Sequence, residues 1–203
     1  METEIEVKFL NVEFNVIRQK LNKLGAKLEQ PMRTMRRVVL DYPDRRMQTS
    51  GNAWVRVRDE GDKVTLTYKT SIENEFGGAQ EIETTVGSYE KTIEIFKSLG
   101  FVVHADQETR RETWQLGDVE VVLDEWPWLE PFIEIEGPTK QAVQDVANKL
   151  GFDWDDAVFG SVTTAYRKQY PAITKDEHIS MIPEIKFNLP LPDWFTKGKD
   201  EDN

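Results

Sequence analysis

Hydrophobic and polar positions along the chain fall into short alternating runs separated by three stretches of helical period. Three segments open on Glu-Ile-Glu and close on Leu-Gly: Glu4-Ile5-Glu6 to Leu24-Gly25, Glu81-Ile82-Glu83 to Leu99-Gly100, and Glu134-Ile135-Glu136 to Leu150-Gly151. Ahead of each Gly, apolar residues recur at helical spacing: Val16, Leu21 and Leu24; Ile93, Phe96 and Leu99; Val143, Val146 and Leu150. A Gly after the last periodic residue stops a helix. Ser88 and Pro138 stand near the starts of the second and third helices, where Ser at a cap and Pro in a first turn are favoured. The pattern predicts a repeated strand–helix unit, too irregular in period for a solenoid.

The other regular segments read as strands over Arg33–Tyr42, Ala53–Asp59, Lys63–Thr70, Glu108–Leu116 and Glu120–Asp124. Gly61-Asp62 and Gly117-Asp118 are compact turn signals and predict two hairpins. With the three Glu-Ile-Glu strands this gives about eight strands and three main helices, an α+β chain that is mainly β. The tail from Pro171 carries Pro183, Pro190 and Pro192 and ends in a charged run. It is expected to form an extension over residues 171–203 of a domain spanning 1–170, with Ile179–Phe187 packed on that domain and the last ten residues disordered.

Side chains alternate faces along a strand. Glu4, Glu6 and Lys8 therefore oppose Ile5, Val7 and Phe9; Arg56 and Arg58 oppose Val55 and Val57; Thr65, Thr67 and Lys69 oppose Val64, Leu66 and Tyr68. Arg111, Thr113 and Gln115 oppose Trp114 and Leu116; Glu120 and Asp124 oppose Val119, Val121 and Leu123; Glu134 and Glu136 oppose Ile133 and Ile135. The apolar faces suit a cover of helices. A solvated, salt-bridged outer face would give the same alternation. Against it stand the doublets, Glu-x-Glu on three strands and Arg-x-Arg on one, and a strand number sufficient to close a small barrel. A barrel with charges facing inward is costly unless it binds charged ligands. Guanidinium groups match phosphate oxygens, and carboxylates approach phosphate only through a divalent cation, so a cavity of both signs suits a metal–polyphosphate complex.

Composition narrows the chemistry. The chain has 203 residues and a net charge of −11, a field that repels nucleic acid and anionic membranes, so neither is an expected partner. It has no cysteine and two histidines, which leaves oxygen ligands for any metal and favours Mg²⁺, Mn²⁺ or Ca²⁺. The opening METEIEVKFL is charged and strand-like, not a secretory signal, and the cytoplasm is the expected compartment.

These residues resemble the CYTH family, which groups class IV adenylate cyclases, thiamine triphosphatases and inorganic tripolyphosphatases. The ordered set that carries the resemblance is Glu4-x-Glu6-x-Lys8, Arg56-x-Arg58, Lys69, Glu81-x-Glu83, Arg111 ahead of Trp114, Leu123-Asp124-Glu125 and Phe132-x-Glu134-x-Glu136. The resemblance implies an eight-stranded antiparallel closed tunnel with helices outside. It implies metal-binding carboxylates at Glu4, Glu6, Glu134 and Glu136, phosphate-binding cations at Lys8, Arg56, Arg58, Lys69 and Arg111, and tunnel acids at Asp124, Glu81 and Glu83 that orient cations or a second metal. The implied activity is hydrolysis of a small-molecule triphosphate with Mg²⁺ or Mn²⁺, by a monomer or homodimer; the alternatives are cAMP formation from ATP and a binding module without turnover. Departures from the family pattern lie at Trp128-Leu129-Glu130-Pro131, where Leu-Gly is usual, and at Thr109-Arg110-Arg111, where a lysine is usual. Ser161, Arg167 or Lys168 would supply a contact from a C-terminal helix, and Trp126 and Trp128 would stack on a base or thiazolium ring.

Overall fold

The computed structural model of the chain describes residues 2–3, 5–71, 79–174 and 179–196. Ten strands form one sheet: β1 (Glu2–Thr3), β2 (Ile5–Leu10), β3 (Lys27–Asp41), β4 (Ala53–Asp59), β5 (Val64–Ser71), β6 (Ala79–Val86), β7 (Val102–Leu116), β8 (Val119–Glu125), β9 (Phe132–Gly137) and β10 (Glu184–Ile185). Eight of them are six residues or longer, the number the alternation predicts. The hydrogen-bonded order is β1-β6-β5-β4-β3-β7-β8-β9-β2, with every neighbouring pair on this path antiparallel. The two ends of this path, β1 and β2, are one residue apart in the chain, and two Cα steps span about 7.6 Å at most. The sheet must therefore curl until its edges meet, and covalent continuity, not a β1–β2 ladder, holds them together. The predicted tunnel is closed in this sense among the described residues.

Strands β3 and β7 are each 15 residues long and begin six residues before the alternation becomes visible. They pair with one another from Lys27↔Gln115 to Asp41↔Val102, with register shifts at Leu28/Gln30, Gln30/Arg33 and Val39/Leu40. A bulge resets which side chains face inward, which erases a period-2 signal over the full length. The β7–β8 connection is a two-residue turn in which Gly117 adopts φ +61, a value open to Gly without steric cost.

Helices α1 (Phe14–Lys23), α3 (Tyr89–Ser98) and α4 (Lys140–Leu150) are the three that periodicity predicts. Ser88 caps α3 by accepting from Lys91 N, whereas α4 is capped by Thr139, leaving Pro138 just outside the helix. Two short helices escape a period-based reading, α2 (Arg46–Gly51) and α5 (Val162–Gln169). The α2 turn is held by the buried carboxylate of Asp41, which accepts from the backbone N–H of Tyr42, Met47 and Gln48 at 2.6, 3.2 and 3.0 Å.

Apolar burial is split among three clusters. Ile17 and Leu21 of α1 and Val143, Val146, Ala147 and Leu150 of α4 pack on Val7, Phe9, Val121, Leu123, Ile133 and Ile135. Each such side chain contributes roughly 1.5–3 kcal/mol by leaving water. Helix α4 comes so close that a Cβ on Gly137 would lie 3.0 Å from Val119 and 3.2 Å from Val143. Helix α3 covers Val38, Leu40, Val55 and Val57 through Tyr89, Ile93 and Phe96. It stops short of the β5–β6 outer face, where the paired Tyr68 and Ile82 remain exposed, so the helical cover is incomplete. The third cluster joins Trp126, Phe132 and Tyr166 to Ile173, Ile179, Ile182, Ile185 and Phe195 of the C-terminal segment. Strand β10 pairs parallel to β7 at Asp106 and Gln107, just before β8 takes over that edge at Arg110. Residues 193–195 form a 3-10 turn; residues 197–203 of the expected disordered tail lie outside the described residues. Among the described residues no helix is long and apolar enough to cross a membrane.

Candidate functional site

The inner face of the curled sheet surrounds a cavity of about 580 Å³ lined by nine Lys and Arg and ten Asp and Glu side chains. Alternation explains how they arrive there. The outward partners Val7, Phe9, Val55, Val57, Ile133 and Ile135 are taken by the helices, so Glu6, Lys8, Arg56, Arg58, Glu134 and Glu136 have only the interior left.

One wall is acidic. Glu6 of β2 is paired with Glu136 of β9, which is paired in turn with Glu120 of β8, and all three line the cavity. One rung on, Lys8 is paired with Glu134. The Lys8 ammonium is 1% exposed and donates to Glu6 Oε1 at 2.8 Å and to the Gly160 carbonyl at 2.8 Å, with Glu134 Oε1 at 3.4 Å. Burial alone would drive its pKa down, but Glu6 and Glu134 outweigh burial and hold it above the usual lysine value. Glu134 is the converse: burial pushes its pKa up, while Lys8, Arg111 and Lys69 prevail and lower it to about 2. Glu120 has no such partner close by, and burial raises its pKa despite Arg111.

The opposite wall is basic. The register carries Trp54, Arg56 and Arg58 of β4 against Lys69, Thr67 and Thr65 of β5, and Lys69 and Thr67 against Glu81 and Glu83 of β6. Lys69 meets Glu81 at 3.1 Å. Arg56 donates to Thr67 Oγ1 at 3.1 Å and to Glu83 at 3.3 Å, and the Thr67 hydroxyl donates to the same Glu83 oxygen at 2.7 Å. Burial, then the neighbouring Arg58 charge, depress the pKa of Arg56 to about 10. A guanidinium keeps its proton under ordinary conditions, so the depression marks a charge whose neighbours compensate it poorly. Arg58 is bound to Glu60, at 2.6 Å from Nη2, and Glu60 also takes Arg33 at 3.3 Å.

Arg111 on β7 joins the two walls. It donates to both oxygens of Asp124, its partner across the β7–β8 ladder, and to Glu134 at 2.8 Å. Asp124 is completely buried behind Arg111 and is not part of the cavity lining. Its place fits orienting Arg111, which it holds beside Glu134.

The sequence-predicted Glu6, Lys8, Arg56, Arg58, Lys69, Glu81, Glu83, Arg111, Glu134 and Glu136 thus all reach one cavity. Glu4 and His178 lie outside the described residues. Sequence reasoning placed Glu120 on the charged face without assigning it to the site, and passed over Arg33, Arg37, Asp41, Arg45 and Glu60, all of which line the cavity. For Arg33 and Arg37 the register is regular, but Met35 and Val39 share their inward face while Thr34 and Arg36 face outward, so no polar–apolar alternation marks them; Glu60 sits in a turn, where no period exists. Ser161 and Thr163 of the α5 region reach the cavity, while Arg167 donates to the Thr174 carbonyl instead. Trp126 lines the cavity; Trp128 packs edge-on against Phe195 and donates to the Leu189 carbonyl. Trp128 adopts φ +65, a strained value for a bulky residue, and its carbonyl is held there by Gln169 and Tyr170.

A divalent cation fits the acidic wall by the chemistry of its donors. Glu6, Glu136 and Glu120 stand side by side on three adjacent strands, present only carboxylate oxygens and repel one another unless a cation sits among them. As the side chains stand, no three acidic residues among those described converge on one point, since the Lys8 ammonium draws Glu6 and Glu134 to itself.

Comparison with known proteins agrees with this geometry. A family model for the CYTH domain matches residues 2–158. A Methanocaldococcus jannaschii protein named "putative adenylate cyclase" is 29% identical over 147 residues, 72% of this chain and 81% of its own. The solved PH1012 protein of Pyrococcus horikoshii superimposes with a TM-score of 0.64 at 31% identity, over 76% of this chain and 94% of that one. A Hippeastrum "putative adenylyl cyclase" described as having a dominant triphosphatase activity shares the fold, with a TM-score of 0.55 at 13% identity over 79% and 91% of the two chains.

Proposed function

This chain belongs to the CYTH domain family, and on that premise we propose that it hydrolyses the terminal phosphoanhydride of a triphosphate with the help of Mg²⁺ or Mn²⁺. The family comprises triphosphatases and class IV adenylate cyclases and is in general dependent on divalent metal. The observation that carries the reading is the segregation of charge within one cavity. Three carboxylates stand in register on β8, β9 and β2, while Arg56 and Arg58 follow one another along the inward face of β4 with Lys69 on the neighbouring β5, in a chain whose net charge is −11. A cavity close to neutral overall but split by sign suits a polyanion that arrives with its cation.

Glu6, Glu120, Glu134 and Glu136 would hold the cation, with Glu4 adjoining them in sequence. Once bound, the cation neutralises charge on the phosphates and lowers the pKa of a water. Arg56, Arg58, Lys69, Arg111 and Lys8 bind phosphate oxygens and hold the chain of phosphorus atoms in line. Because their acid partners fix them before substrate arrives, stabilising the transition state costs little reorganisation. Glu83 and Glu60 keep the arginine forks aimed, and Asp124 does the same for Arg111. A second metal or an acidic side chain of the cavity would take the proton from the attacking water.

The name of the Methanocaldococcus relative favours a second reading, cAMP formation from ATP. Both follow from one assay: phosphate and cAMP release from inorganic triphosphate, thiamine triphosphate and ATP, with Mg²⁺, Mn²⁺ or EDTA, for the wild type and Glu6→Gln. Metal-dependent phosphate release that the substitution abolishes supports the hydrolase and names its substrate. cAMP without phosphate makes the chain a cyclase, and binding without turnover makes it a triphosphate-binding module.

A further inference from the structure

Two arginines of the cavity wall, Arg37 and Arg45, meet no carboxylate among the described residues; Arg45 donates instead to Gln48 and the Ser180 carbonyl, whereas Arg37 donates to none of them. It is 8% exposed and lines the cavity. Its Nε is buried without a hydrogen-bond partner. By contrast Arg33, Arg56, Arg58 and Arg111 are each paired with an acid. What Arg37 has is an aromatic face, with its guanidinium carbon 4.1 Å from the centre of the Trp126 ring. Cation–π contact offsets only part of the cost of burying a charge.

The neighbours make matters worse. Arg37 is paired with Arg58 across the β3–β4 ladder. Burial, then the charges of Arg56, Arg58 and Arg111, hold its pKa well below the arginine range, with Asp124 a partial offset. A cluster of four desolvated guanidinium groups, one without any acid, is an unfavourable arrangement that an anion would relieve.

The stacked geometry is held from outside the matched domain. Trp126 packs edge-on against Tyr166, and Tyr166 against Phe195. Phe195, Ile179, Ile182 and Ile185 belong to the C-terminal segment, which lies beyond the family match at residues 2–158. Ile179 and Ser180 of that segment also line the cavity, and the Ser180 carbonyl accepts from Arg45 at 3.4 Å. The segment therefore buttresses the tryptophan on which Arg37 rests.

We propose that Arg37 is a further substrate-binding residue: its unpaired guanidinium, stacked on Trp126, takes a phosphoryl group of the triphosphate at the end of the tunnel braced by the C-terminal segment. The inference rests on the triphosphate reading above. It separates two effects that a structural arginine would couple. Losing Arg37 removes an uncompensated buried charge and so stabilises the empty protein, while binding of the polyanion suffers.

The test is thermal melting and titration with inorganic triphosphate, in EDTA and again with Mg²⁺, on wild type, Arg37→Met and Arg37→Lys. In the absence of ligand Arg37→Met is expected to melt about 2–5 °C above wild type. Its triphosphate affinity is expected to fall roughly tenfold to a hundredfold, the range for losing one charge-assisted contact. Arg37→Lys, which keeps the charge and loses the planar fork, is expected to melt near wild type and to bind about tenfold more weakly; it covers the case in which methionine disturbs the fold. A wild type that responds to triphosphate beside Arg37→Met and Arg37→Lys that bind equally well overturns the assignment, as does an Arg37→Met that melts lower than wild type together with an Arg37→Lys that binds as tightly as wild type. A wild type that responds neither in EDTA nor with Mg²⁺ overturns the triphosphate reading and this inference with it.

Discussion

Glu6 of β2 and Glu136 of β9 are directly opposite one another in the antiparallel ladder and both face the cavity. Like charges at such a pair destabilise a sheet by roughly 0.2–1 kcal/mol. Replacing Glu136 by its amide relieves that repulsion and leaves Glu6 in place as the partner of the buried Lys8 ammonium, so the metal-free protein should be as stable as wild type or slightly more so. The same change removes a hard oxygen donor from the row. Glu136→Gln is thus expected to melt at or above the wild-type temperature in EDTA and to lose most of the rise in melting temperature that Mg²⁺ or Mn²⁺ gives the wild type. An equal response to metal in both proteins would remove Glu136 from the metal wall.

Glu134 sets an acid limit to stability. Its folded pKa of about 2 lies below the ordinary glutamate value, chiefly because Lys8 and Arg111 overcome the effect of burial. A group depressed on folding contributes stability that is complete above its unfolded pKa and is lost as pH falls toward its folded one. The contribution of Glu134 should therefore vanish between about pH 4.5 and 2. Urea unfolding of Glu134→Gln across that range should give a flatter acid branch than wild type. Lys8→Met removes the leading electrostatic partner and should shift the wild-type branch to higher pH.

Much of this site was legible because the strands that carry it alternate without interruption. On β2, β4 and β9 every second residue is taken by a helix-covered core, which leaves Glu6, Lys8, Arg56, Arg58, Glu134 and Glu136 a single destination. Arg33 and Arg37 were illegible for the opposite reason. From Arg33 to Val39 the ladder is regular, yet apolar Met35 and Val39 share the inward face with the two arginines while Thr34 and Arg36 face outward, so the period of two carries no polar–apolar contrast there. Asp124 shows a further limit: alternation places it on the inner face, yet only the three-dimensional position of Arg111 decides that it stands behind the wall. The C-terminal segment carries no strong period: Ile179, Ile182 and Ile185 fall in the stretch expected to pack on the domain, whereas buried Phe195 falls among the last ten residues, whose charged composition points to disorder.

Glu112 is a buried acid with no part in the cavity. It accepts from Arg18 Nε at 2.9 Å and from the Trp114 indole N–H at 2.7 Å, fixing α1 against the outer face of β7. Glu112→Ala leaves the indole N–H without its acceptor and should cost roughly 1.5–3 kcal/mol in urea unfolding. Triphosphate affinity should stay at the wild-type value. A parallel loss of affinity would mean that the α1 side of the barrel shapes the site.

Phe195 tests whether the C-terminal segment is a brace or an ornament. It is 1% exposed and touches Trp128, Tyr166 and Tyr170 through ring contacts of 6.0, 5.7 and 5.0 Å. Phe195→Ala opens a cavity in that cluster and should cost about 3–5 kcal/mol if the surroundings do not collapse. The acidic row proposed to hold the metal, on β2, β8 and β9, packs under α1 and α4, a different cluster, so the stabilisation expected from Mg²⁺ or Mn²⁺ should survive. Triphosphate affinity should weaken, since Tyr166 and Trp126 lose the support that aligns the Arg37 stack. Denaturant unfolding with metal and triphosphate titrations on Phe195→Ala separates these effects. Loss of stability with both ligand responses intact would reduce the segment to packing alone, whereas a selective loss of the triphosphate response identifies it as the outer support of the anion site.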